Sequence, residues 1–102
     1  MFREAIADHD IVVSHHHGYY ALGRSAAEAF FRAYYLRQAC SVQVKAAAAA
    51  AGAGEHLREM DPQRVAMIED QMRESAHYHY DGSTEWAALL RKLERACPDY
   101  RT

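Results

Sequence analysis

Three consecutive histidines, His15, His16 and His17, sit inside an otherwise strand-like run that starts I-V-V-S at Ile11 and ends G-Y-Y-A-L-G at Gly23. Neutral imidazole is the commonest metal ligand among side chains, so the chemistry open to this cluster is coordination of a divalent cation. Side chains alternate along a strand, so histidines that continued the strand would place His15 and His17 on one face and His16 on the other. His17, next to the break at Gly18 where ligands brought from elsewhere could meet it, is then the residue to explain, and His15 on the same face could assist it. A second pair, His77 and His79, lies in the polar stretch A-H-Y-H-Y-D-G-S, which reads as an exposed loop. Cys40 and Cys97 stand alone, without the paired spacing of a redox or zinc motif, and Cys40 among apolar neighbours reads as a buried, inert thiol.

The elements that must position these residues are readable from local signals. Val12, Val13, Tyr19 and Tyr20 favour a pleated, half-buried surface, and His17-Gly18 supplies the bend between two short strands. Phe2 to Asp8 has its apolar residues at helical spacing and leads into the first strand. After Gly23, Ser25 and Glu28 form a capping box, which predicts a helix from Ala26. Phe30, Phe31, Tyr34, Tyr35, Leu36, Cys40, Val42 and Val44 cover more than one of its faces. Glu28 and Arg32 make an i,i+4 pair on the remainder, and Glu28 serves as a cap rather than a base. Six alanines extend this helix to Gly52-Ala53-Gly54. Asp61-Pro62 starts a further helix with a modest stripe of Val65, Met67, Ile68 and Met72 up to about Ser75. Ser83 is the expected cap of the last helix, which would bury Trp86, Leu89, Leu90 and Leu93 and stop at Cys97-Pro98.

Composition limits what such a chain does. At 102 residues it allows one domain, 1–102, near the lower end of what buries a self-sufficient core. A formal charge of -2, with Arg and Lys scattered, leaves no basic footprint for nucleic acid. No apolar run approaches the roughly 20 residues that span a bilayer, and no secretory signal opens the chain. The expected setting is the cytoplasm.

The order of these motifs resembles the C-terminal part of the class II aldolase/adducin family. His16-His17-Gly18 stands where that family carries Asn-His-Gly. Tyr19 to Gly23 matches its short strand closing in glycine. Glu28-Ala29-Phe30, Tyr34-Tyr35-Leu36 and Ala39-Cys40 match its long helix, E-A-F-x-x-x-Y-Y-L-x-x-A-C. Glu85-Trp86, Leu89-Leu90 and Pro98-Asp99-Tyr100-Arg101 resemble the tail of bacterial members. The resemblance implies an α/β chain, the C-terminal part of a three-layer α-β-α fold, here a short antiparallel hairpin with three helices. It also implies zinc or another divalent metal on three histidines, of which His17 matches the third; the other two, a His-x-His pair, and a glutamate acid/base lie earlier in the family sequence and have no counterpart here. His16 replaces the usual asparagine. In such enzymes the metal polarises a carbonyl and stabilises the enediolate formed as a carbon–carbon bond breaks.

Two functions follow as expectations. The first is the C-terminal portion of a metal-dependent aldehyde-lyase or epimerase acting on sugar phosphates or related hydroxy-carbonyl compounds, inactive alone. The second is a non-catalytic, adducin-like interaction or oligomerisation domain. Either way the chain is expected to self-associate as a dimer or tetramer, and neither nucleic acid nor membrane is expected as a partner.

Overall fold

The computed structural model describes residues 4, 7–75 and 79–101. Two four-residue strands, β1 (Ile11–Ser14) and β2 (Gly18–Ala21), are followed by helices α1 (Ala26–Gly52), α2 (Pro62–Arg73) and α3 (Ser83–Ala96) and a 3-10 turn at Pro98–Arg101. The expected hairpin and three helices are therefore present. The helix read over Phe2 to Asp8 falls largely outside the described residues, although Ala7 and Asp8 are helical.

The chain forms two compact units, Met1–Leu36 with Tyr80–Thr102, and Arg37–His79. In the first, β1 and β2 pair antiparallel with Ile11 opposite Ala21 and Ser14 opposite Gly18. Beyond the ladder, the Leu22 amide donates to the Asp10 carbonyl at 2.8 Å and closes the base of the hairpin. Helix α1 starts where the capping signal placed it, and the Glu28 amide donates to Ser25 Oγ at 3.1 Å. The start of α3 departs from expectation. Its cap is Gly82, in the left-handed conformation at φ 75°, and the Ser83 amide donates to Asp81 Oδ1 at 3.0 Å. Gly82 is buried, so the segment before α3 is not an exposed loop throughout. Its missing side chain explains this: a Cβ there would stand 2.4 Å from the Ala27 carbonyl oxygen. On α3, Trp86 meets Phe30 edge-on at 5.5 Å between centroids. The Arg101 guanidinium ties the final turn back to Glu94.

In the second unit, α2 begins as expected, with Asp61 Oδ1 accepting from the Gln63 amide at 2.8 Å and proline in its first turn. Its apolar stripe of Val65, Met67, Ile68 and Met72 is exposed. Among the described residues no apolar side chain is fully buried. Leu89 and Leu93, expected inside, are exposed, while Trp86 and Leu90 are half-buried. Cys40, expected to be a buried thiol, is exposed, as is Cys97. Around Cys40 the apolar residues of α1 are exposed as well, with Val42 at 67% and Val44 at 69%, so an apolar sequence there lacks a covering element among the described residues.

Candidate functional site

The histidines form the hairpin loop itself. Residues 15–17 are turn residues between Ser14 and Gly18, and the His17 amide donates to the Ser14 carbonyl at 3.3 Å. His16 takes a left-handed conformation at φ 66°, one that histidine adopts more readily than most non-glycine residues. Gly18 follows at φ 107°, so the chain reverses over a short span. Strand alternation therefore does not govern the three side chains, because none of them is in a strand. The His15 and His16 rings pack against each other, with centroids 3.9 Å apart and planes at 63°. His15, His16 and His17 are all exposed.

A zinc site that keeps its metal takes three or four protein ligands. Among the described residues no three His, Cys, Asp or Glu side chains come together to hold an ion. The turn offers His17, with His15 two residues away, and those donors do not close a site. His79 is exposed, and His77 lies outside the described residues.

The centre that organises the hairpin is ionic, whereas the sequence reading takes Glu28 as a cap and Glu28 with Arg32 as an i,i+4 pair. Glu28 is only 4% exposed, a buried charge in the first turn of α1. Its Oε2 accepts from the Arg24 amide at 2.6 Å, and its Oε1 accepts from Arg32 Nη2 at 3.2 Å. Arg32 Nη2 also lies 3.1 Å from Asp10 Oδ2, while its Nη1 donates to the Leu22 carbonyl. The Arg24 amide, then the Arg24 side chain and the Arg32 charge, hold the Glu28 carboxyl below its ordinary range, against the opposing effect of desolvation. Gly23 belongs to the same junction, since a Cβ there would stand 2.5 Å from the Ala29 nitrogen. An i,i+4 pair reads identically whether it faces water or a neighbouring element. The usable signal was Asp10, a second carboxylate placed just before the strand.

A second feature of this unit is a groove of about 310 Å³ lined by Phe30, Phe31, Tyr34 and Tyr35 of α1 and by Glu85, Ala88 and Leu89 of α3. Within it the aromatics pack on one another, Phe31 on Tyr35 at 4.6 Å and Tyr34 on Tyr35 at 5.4 Å. Glu85 Oε2 is enclosed with no hydrogen-bond partner among the described residues.

Residues 1–44, which hold the hairpin, the ionic centre and the aromatic part of α1, match the family model described as Class II Aldolase and Adducin N-terminal domain. Through this segment the chain is similar to the class II aldolase/adducin family. Beta-adducin from Rattus norvegicus and from Mus musculus is 34% identical to this chain over 77 residues, or 76% of it. The Homo sapiens beta-adducin is 32% identical over the same length. In each case the aligned stretch spans 9% of the relative's own length. No solved structure matches the chain. Among the described residues no helix is long and apolar enough to cross a membrane.

Proposed function

We propose that residues 1–102 are one partial domain, the C-terminal portion of a metal-dependent class II aldolase-like protein, in which His17 supplies one metal ligand with His15 beside it. The observation that carries this reading is the exposed histidine loop inside the family-matched segment. The remaining donors for zinc or another divalent ion are not among the described residues, so the reading gives this chain a share of a site. The larger sheet of the three-layer fold belongs to the same proposal. So does the substrate class, sugar phosphates or related hydroxy-carbonyl compounds cleaved or epimerised at a carbon–carbon bond.

A calorimetric zinc titration tests it. The isolated chain binds zinc weakly, because one ligand and an assistant lack the chelation that retains a metal. His17→Ala removes most of that weak binding, and zinc brings no aldol cleavage of sugar phosphates. Submicromolar affinity or clear turnover would show that this chain closes a full site by itself. Weak binding that His17→Ala leaves unchanged would count against His17 as the ligand.

A second reading is favoured by the aromatic groove and by the beta-adducin relatives: a non-catalytic interaction or assembly module. An enclosed carboxylate oxygen without a donor, beside apolar side chains, is what an interface leaves when its other half is elsewhere. Substitution of Tyr34 and Tyr35 by serine then abolishes self-association while zinc binding stays as it was, and an unchanged oligomeric state would remove this reading.

A further inference from the structure

We infer that Arg32, oriented by Glu28, is the positioning residue of the histidine loop: its guanidinium clamps both ends of the hairpin onto the start of α1. The geometry points this way because Arg32 reaches the chain on each side of the strand pair. Before β1 it meets the Asp10 carboxylate at 3.1 Å, and after β2 it donates to the Leu22 carbonyl. These two residues are already joined by the amide of Leu22 and the carbonyl of Asp10. The clamp therefore grips the base of the hairpin, at the end opposite His15 to His17.

Such a grip matters because of what the hairpin lacks. A two-stranded ribbon is marginal in water, and these strands have four residues each. Val13 is 73% exposed and Tyr19 and Tyr20 nearly half so, which leaves little apolar burial to hold the ribbon together. A guanidinium has five donors in a planar fork, so it can serve one carbonyl and two carboxylates at once. An ammonium has only three donors, all on one nitrogen, and lacks the fork that lets Nη1 and Nη2 face different acceptors. Glu28 sets the direction of the fork: its buried carboxylate is fixed by the Arg24 amide on one oxygen and presents the other to Arg32.

The clamp also responds to acid. The groups facing Glu28 are Arg24, on the linker ahead of α1, and Arg32 of α1 itself, with Asp10 beyond Arg32. The folded carboxyl ionises below the ordinary glutamate range. Its contribution is thus complete at neutral pH and above that range, and is lost as the pH falls through the lowered value. Protonation leaves Arg32 without its orienting charge and frees the hairpin base.

The inference rests on the proposed function only in taking the histidine loop as the working end of the hairpin, and its test contains no metal. Amide hydrogen exchange on the full chain follows Leu22 and the strand amides, with the α3 amides near Trp86 as internal reference. Arg32→Gln should speed exchange at Leu22 at least tenfold and leave α3 unchanged. Arg32→Lys, which keeps the charge and loses the fork, should behave almost as Arg32→Gln does. Glu28→Gln should give a smaller acceleration at neutral pH and abolish the acid-dependent acceleration of the unmodified chain, once intrinsic rates are divided out. Protection in Arg32→Lys equal to that of the unmodified chain would overturn the clamp. If the Arg32 variants fail to fold, Glu28→Gln decides: an acid response identical to the unmodified chain would overturn it equally.

Discussion

Sedimentation of the chain at low micromolar concentration will show a dimer or larger species rather than a particle of 11.6 kDa. Among the described residues nothing apolar is fully buried, and Phe30, Tyr34 and Tyr35 of α1 are each 41–49% exposed. Complete burial of a large apolar side chain is worth roughly 1.5–3 kcal/mol, so covering one that is half exposed returns about 1 kcal/mol. The aromatic face, Val42 and Val44 on the same helix, and the stripe on α2 together offer on the order of 10 kcal/mol per chain. A two-fold dimer counts that gain twice. Association costs an estimated 4–15 kcal/mol, which the doubled gain exceeds. The hairpin adds a second drive, because a two-stranded sheet leaves backbone donors and acceptors along its outer edges for another strand to pair with. A two-fold arrangement serves both needs. A compact monomer that unfolds cooperatively would overturn this expectation and would mean that the chain closes its own core.

The parts of this fold that were legible in the sequence are those that local chemistry decides. Ser25 and Glu28 placed the start of α1, Gly52-Ala53-Gly54 its end, and Asp61-Pro62 the start of α2, because caps, left-handed glycines and proline act within a few residues. What was not legible depends on neighbours distant in sequence. The sequence puts the bend at His17-Gly18, with His15 and His16 still in the strand because their flanks alternate, and only the register of Ser14 opposite Gly18 puts all three histidines in the loop. Glu28 and Arg32 read only as an i,i+4 pair within one helix because nothing in their spacing reveals Asp10 and Leu22 at the other side of the guanidinium. Cys40 read as buried because its neighbours are apolar, yet burial requires a covering element as well as an apolar sequence. Ser83 read as a cap because serine commonly is one, while the preceding residue, Gly82, occupies that position for a reason that lies on another helix. The candidate site divides the same way. The histidine loop was visible as a motif, and the clamp beneath it was not.

Gly82→Ala is expected to be the most damaging single-methyl change in the chain. Two separate penalties meet there. Gly82 has φ 75°, a conformation that costs an L-residue roughly 1–2 kcal/mol. The new Cβ would also stand 2.4 Å from the Ala27 carbonyl oxygen and 2.7 Å from Phe31 Cβ, far inside contact distance. The first of these is backbone in the opening turn of α1, which cannot rotate aside, so the junction of α1 and α3 must open. Overpacking of this kind costs a further 1–3 kcal/mol or so. The sum, roughly 2–5 kcal/mol, is a large share of the 5–15 kcal/mol typical of a folded domain. Gly54→Ala separates the two penalties, because Gly54 has nearly the same φ, 71°, with nothing within 4 Å of the added carbon. It should lose only the conformational part. Gly52→Ala, with open space and no left-handed backbone, should be neutral or slightly stabilising through the unfolded chain. Urea denaturation of the three variants at one fixed protein concentration ranks them, since an associating chain changes its apparent stability with concentration. An order other than Gly82 worst, Gly54 intermediate and Gly52 least would mean that α3 does not pack on Ala27 and Phe31, and that the aromatic groove between α1 and α3 has a different shape.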